Sequence, residues 1–161
     1  MSPRLLSLAI AGAVIAADQL TKWWVVSTLP GNTIEVIPGV LYFRYVLNSG
    51  AAFGFLPGAG SFIALGAIAA AVLIVLVVHR LQGRLETVAM GLVLGGALGN
   101  LIDRVFRGPG LLDGAVVDFV DFEYFPAFNV ADSAITVGAG LAILTAFVLS
   151  RKAPGDAHSA D

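Results

Sequence analysis

Long apolar runs separated by short polar clusters dominate the chain, and their lengths set the expected architecture. A helix needs about 20 mostly apolar residues to cross a bilayer. Four segments meet that condition, at roughly 4–26, 60–79, 86–104 and 129–150. The connection 27–59 carries Ile34–Leu47, rich in Val, Ile, Leu, Tyr and Phe and interrupted by Pro38-Gly39. That pattern predicts a small β element resting on the membrane surface, closed by the turn residues Asn48-Ser49-Gly50. The connection 105–128 holds two turn signals, Gly108-Pro109-Gly110 and Asp113-Gly114. It then runs through Val116–Phe128, where aromatic rings alternate with Asp118, Asp121 and Glu123. The tail 153–161 is polar and expected to be disordered. These pieces fill the chain, so the expectation is a single membrane domain. Its fold class is all-α and integral to the membrane, a four-transmembrane-helix bundle with a small extracytoplasmic β element.

Composition agrees. Hydrophobic residues make up 58% and charged residues 12%, and mean hydropathy is +0.90, far from the soluble range. Arg4 and Leu5–Ala17 have the outline of a cleavable leader. However, the apolar stretch resumes after Lys22 as Trp23-Trp24-Val25-Val26, long enough to span and with tryptophans suited to an interface. Arg4, Arg80, Arg84, Arg151 and Lys152 fall on one side of the spans. Only Arg44 and Arg107 lie in loops on the other, because Lys22 and Arg104 sit inside helix ends. The positive-inside rule then predicts cytoplasmic N- and C-termini, with both long connections outside. No basic run points to nucleic acid, and no internal repeat points to a transporter of inverted halves.

The available chemistry is narrow. Cysteine is absent and there are two histidines, His79 beside Arg80 and His158 in the tail. Thiol nucleophiles and cysteine metal sites are therefore excluded, and no histidine stands near plausible triad partners. Carboxylates remain. Charges inside spans are costly and call for a functional explanation. Asp18 and Lys22 stand at i, i+4 and share a helix face, either as an ion pair holding the helix end or as part of a site. In the third span Gly91, Gly95 and Gly99 form a small-residue stripe fit for close approach of a helix or a ligand. Gly96, Asn100 and Arg104 run beside it, with Asp103 adjacent, as a set of orienting donors. In the fourth span Asn129, Asp132, Ser133 and Thr136 share one face. Asn129 and Asp132 fit a capping box, and a carboxylate in the first turn is favoured in its ionised form by the helix dipole. Asp118 sits in the apolar run Gly114–Val120, where desolvation should raise its pKa. One carboxylate pushed towards neutral beside one kept ionised is the arrangement that activates water for attack on an amide. On spacing alone, Asp121 and Glu123 are rivals for that role.

Five blocks together closely resemble the lipoprotein signal peptidase family (type II signal peptidase). They are Asp18-Gln19-Leu20-Thr21-Lys22; Asn48-Ser49-Gly50-Ala51-Ala52-Phe53; Gly95–Arg104; Val116-Val117-Asp118-Phe119; and Phe128–Ser133. The resemblance implies an aspartic endopeptidase of the bacterial inner membrane that removes the signal peptide of prolipoproteins just before a diacylglyceryl-cysteine. It maps the catalytic dyad onto Asp118 and Asp132, and supporting or substrate-binding residues onto Asp18, Lys22, Asn48, Gly50, Asn100, Arg104 and Asn129. It implies a periplasmic β-cradle, a short extracytoplasmic helix, lipidated prolipoprotein and membrane lipids as partners, and neither metal nor organic cofactor. The segment 105–117 is longer than is usual in that family, which puts the shape of the flap over the site in question. The glycine stripe would offer close approach to substrate, and the aromatic outer loops a lid. Two other classes remain: a small proton-coupled transporter using Asp18, Asp118 and Asp132 as a relay, and a non-catalytic scaffold. A relay would step acids through the bilayer, whereas these cluster near one face.

Overall fold

The computed structural model describes residues 1–50, 60–81 and 83–152. The 51–53 part of the second resemblance block and the polar tail 153–161 lie outside the described residues. Four helices are long and apolar enough to cross a membrane: α1 (Pro3–Thr28), α2 (Gly60–Val77, extended by a 3₁₀ turn Val78–Arg80), α3 (Arg84–Phe106) and α4 (Val130–Lys152). Each matches an expected span and overruns most ends by one or two residues. Ser2 starts α1 by accepting the Leu5 N–H at 3.3 Å, with Pro3 in the first helical turn.

The fold is mostly helical rather than all-α, because the β element is twice the expected size. Strands β1 (Thr33–Ile37), β2 (Leu41–Asn48), β3 (Val116–Phe122) and β4 (Phe125–Phe128) form one antiparallel sheet in the order β1-β2-β3-β4. Strand character was expected only over 34–47. A lone hairpin is marginal in water, and the second outer connection supplies the missing partner: Val46 faces Asp118 and Asn48 faces Val116 across the β2–β3 ladder. The two hairpin tips are tied by Glu123 N–H to Val40 C=O at 3.0 Å. No short extracytoplasmic helix occurs among the described residues.

Strand alternation gives β3 its use. Val117 and Phe119 are buried against Val25 and Leu29 at the end of α1, with Trp24 and Phe43 completing the cluster. Asp118, between them, therefore points to the opposite face, towards Asn129 at the start of α4. The glycine stripe is spent on helix packing rather than on substrate. A Cβ on Gly91 or Gly95 would come within 2.9 Å of α1 at Ile10 or Ala11, and one on Gly99 within 2.8 Å of Asp18 Oδ2. Beside it, a Cβ on Gly96 would come within 2.7 Å of Ile135 on α4. So α3 is the central helix, with α1 and α4 seated on its glycines.

Segment 105–117 is a compact turn rather than an open flap. Gly110 N–H reaches Asp113 Oδ1 at 3.0 Å, and Gly114 N–H returns to the Arg104 carbonyl at 3.0 Å, closing the segment on the end of α3. Leu112 adopts φ 65° within it.

Candidate active site

The nine residues to which the resemblance assigns the dyad and its support fall into one hydrogen-bonded network at one end of the bundle. Asn129, the residue preceding α4, is its centre. Its side-chain oxygen accepts the Asp132 N–H at 2.9 Å while Asp132 Oδ2 accepts the Asn129 N–H at 3.2 Å, the reciprocal capping box. The same asparagine donates through Nδ2 to Asp118 Oδ1 at 2.7 Å and to Asn100 Oδ1 at 3.1 Å. Capping and site construction are thus one arrangement, and Asp118 and Asp132 share a single bridging residue.

Each aspartate has a second amide. Asn48 Nδ2 donates to Asp118 Oδ2 at 3.0 Å, and its oxygen is held by the Gly50 N–H at 3.0 Å. Asn100 Nδ2 donates to Asp132 Oδ1 at 2.7 Å, and its oxygen accepts from Lys22 Nζ at 2.9 Å. Because an N–H or an ammonium only donates, these contacts fix which end of each amide faces the carboxylates. Asp118 is 1% exposed. Burial, and next the charge of Asp132, push its pKa up to about 7, against the lowering pull of the two amide bonds and of Lys22. The desolvation expected from its apolar neighbours is realised.

Asp18 and Lys22 form the expected i, i+4 pair at 2.8 Å, both fully buried. Lys22 also meets Asp103 at 3.0 Å, and Asp18 Oδ1 accepts the Ala131 N–H at 3.0 Å. In this way α1 satisfies a free donor in the first turn of α4. Arg104 makes no hydrogen bond or ion pair with the adjacent Asp103 or with Asp118 or Asp132. Its guanidinium donates to the Gly50 carbonyl at 2.6 Å and the Gly114 carbonyl at 3.3 Å, gripping both outer connections. Gly60 permits this, since a Cβ there would meet Arg104 Nη1 at 2.8 Å. The rivals lie elsewhere: Asp121 pairs with Arg44 at 3.0 Å and Glu123 with the same arginine at 3.9 Å, on the sheet's outer surface. Two residues went unassigned in the sequence reading. Asp103 was noted only as a neighbour of Arg104, and Gln19 only inside a block, yet both join the buried cluster. The signal available was a second charge in an apolar span.

Two clefts meet at Asn48 and Asp132. One, of about 340 Å³, runs between α2, α3 and α4 and is lined by small residues such as Ala64, Gly66 and Ala67 together with Asn100 and Arg104. The other, of about 480 Å³, is lined by Phe125, Phe128, Ile135 and Val137. Asp132 therefore opens onto apolar walls on both sides, while the buried Asp118 is joined to it through Asn129. Among the described residues, no cluster of His, Asp or Glu is fit to hold a metal.

The family model for signal peptidase (SPase) II matches residues 10–148. The chain belongs to the signal peptidase II family. Among its relatives, the lipoprotein signal peptidase of Shouchella clausii is 46% identical over 146 residues, covering 88% of this chain and 93% of that one. That of Symbiobacterium thermophilum is 43% identical over 155 residues, covering 92% and 98%, and that of Rhodococcus jostii 42% over 146 residues, covering 90% and 74%. A bacterial membrane enzyme solved by the in meso method at 2.3 Å resolution superposes with a TM-score of 0.81 at 34% identity, covering 96% of this chain and 94% of that one. A second, solved at 1.9 Å, gives a TM-score of 0.74 at 37% identity, covering 87% and 91%. With its four spanning helices, this signal peptidase II family member is a multi-pass membrane protein.

Proposed function

We propose that the protein is an intramembrane aspartic endopeptidase that removes the signal peptide from diacylglyceryl-modified prolipoproteins, cutting just before the lipidated cysteine. The observation that carries this is the pairing of Asp118 and Asp132. Both are held by amide donors with no ion-pair partner among the described residues, and Asp132 together with Asn48, which bonds Asp118, lines two apolar clefts. The family supports the peptidase activity and its class of substrate.

In the mechanism, Asp118 holds a proton near neutral pH and donates it in a hydrogen bond to the scissile carbonyl oxygen. Asp132, at the positive end of α4, takes a proton from water as the water oxygen attacks the carbonyl carbon. The tetrahedral intermediate collapses as the C–N bond breaks, with the proton on Asp132 passing to the leaving nitrogen and the proton lent by Asp118 returning to it. Asn48, Asn100 and Asn129 orient the carboxylates, and Arg104 holds the outer connections around them. No cofactor takes part. The apolar clefts receive acyl chains and signal helix, leaving water to reach the carboxylates alone. The enzyme sits in the bacterial inner membrane with both termini cytoplasmic and the site near the outer face, where a lipidated cysteine lies. A proton carrier would need acids distributed through the bilayer. Here Asp18, Asp118 and Asp132 share one network at one end.

The test is cleavage of a diacylglyceryl-modified prolipoprotein by the purified protein, followed by gel shift. Asp118→Asn and Asp132→Asn should each lower the rate by more than about 10²-fold while still inserting and folding. Near-normal turnover by either variant would overturn the mechanism.

A further inference from the structure

Three fully buried charges, Asp18, Lys22 and Asp103, have no role in that mechanism, and Asp103 is the one that reaches both catalytic aspartates. Asp103 is 0% exposed, and four donors converge on its two carboxylate oxygens. Oδ2 accepts the Val117 N–H at 3.0 Å and Lys22 Nζ at 3.0 Å. Oδ1 accepts Arg107 Nε at 2.8 Å and Gln19 Nε2 at 3.4 Å. Only a carboxylate accepts at both oxygens, because an asparagine would turn an NH₂ group towards one donor pair.

The two contacts of Oδ2 lead to different catalytic aspartates. Val117 immediately precedes Asp118, so its N–H fixes strand β3 at the point where that carboxylate leaves it. Lys22 leads to Asp132: its ammonium takes the Asn100 oxygen at 2.9 Å, which forces the Asn100 nitrogen towards Asp132 Oδ1 at 2.7 Å. We propose that Asp103 is a positioning residue that sets the separation of the two catalytic aspartates, one oxygen gripping the strand of Asp118 and the ammonium that orients Asn100 on Asp132. This rests on the peptidase reading above. A misplacement of about 1 Å at a reacting centre costs on the order of 10²-fold in rate, so such a brace acts on turnover more than on substrate affinity.

The charges facing Asp118 are Asp132 from α4, Lys22 from α1 and Arg104 from α3, while Arg44 on β2 is occupied by Asp121. Cleavage requires Asp118 to keep its proton, so the rate falls as pH rises through about 7. Replacing Asp103 by asparagine removes a negative charge that offsets Lys22. The ammonium, left with Asp18 as its one carboxylate partner, then favours ionised Asp118 more strongly, and the alkaline limb of the pH–rate profile moves to lower pH.

The experiment measures kcat and KM against pH, with thermal unfolding in detergent, for Asp103→Asn, Asp103→Ala and Asp118→Asn. Asp103→Asn should lose about tenfold in kcat and Asp103→Ala about 10²-fold, with KM little changed in either, and the limb of Asp103→Asn should move to lower pH. Wild-type kcat in Asp103→Ala, or an unmoved limb in Asp103→Asn with kcat falling only as far as the folded fraction falls, would overturn the proposal. If Asp103→Ala does not fold, the limb of Asp103→Asn decides. Activity in Asp118→Asn would remove the peptidase reading itself, a separate and distinguishable failure.

Discussion

Two pairs of aspartates lie side by side in this molecule, and what differs between them is the company they keep. Asp18 and Asp103 share the Lys22 ammonium, and Asp103 adds Arg107. Asp118 and Asp132 receive amides only, from Asn48, Asn100 and Asn129. Burial does not separate Asp118 from the first pair, since Asp18 and Asp103 are 0% exposed and Asp118 is 1% exposed, whereas Asp132 is half-buried. A buried carboxylate against a cation stays charged and holds structure. One against amides keeps its orientation while its proton remains available, which is what acid–base chemistry requires. Here the two pairs are told apart by their neighbours rather than by residue type.

Lys22→Met attacks that comparison where it is strongest. It leaves Asp18 and Asp103 buried without their shared cation, a loss of roughly 3–5 kcal/mol for a broken buried pair. The protein should melt far earlier in detergent and lose cleavage together with its fold. An unchanged melting temperature would mean that the first pair is not held by charge. Arg104→Lys has a smaller effect. Lysine keeps the charge but lacks the planar fork that reaches both Gly50 and Gly114 carbonyls. Cleavage should fall by about tenfold or more at nearly unchanged stability, because one outer connection is released. Full activity would reduce Arg104 to an interfacial anchor, a task lysine performs equally well. The smallest effect belongs to Asp121→Asn and Glu123→Gln, whose partner Arg44 is 39% exposed. Surface pairs contribute about 0–1 kcal/mol, so cleavage rates should stay within about twofold of the parent. A large loss in either would return the rivals to the site.

The helices were legible because apolar length is a local property, read without knowing what a segment touches. The residues of the site were legible for a related reason: a polar side chain inside an apolar run is conspicuous wherever it stands. Strands β3 and β4 were not legible, because Val116–Phe128 becomes sheet only by pairing with a hairpin some seventy residues earlier, as Asn48 facing Val116 shows. The glycine stripe was ambiguous for the same reason. Close approach is visible in sequence, but whether α1 or a substrate makes the approach is a fact of packing. Arg104 shows the limit most clearly: its place on the Asn100 face was readable, but not that its partners are two main-chain carbonyls from separate loops.

The raised pKa of Asp118 also bears on the unfolding equilibrium. An unfolded chain returns this carboxylate to its ordinary value of 3.8, whereas the folded protein holds its proton up to about 7. Between those values the native state binds the extra proton, so its stabilising contribution is complete below 3.8 and disappears as pH rises through about 7. This carboxyl therefore makes its smallest contribution to the fold at neutral and alkaline pH. A mildly acidic medium favours the native state through this one carboxyl.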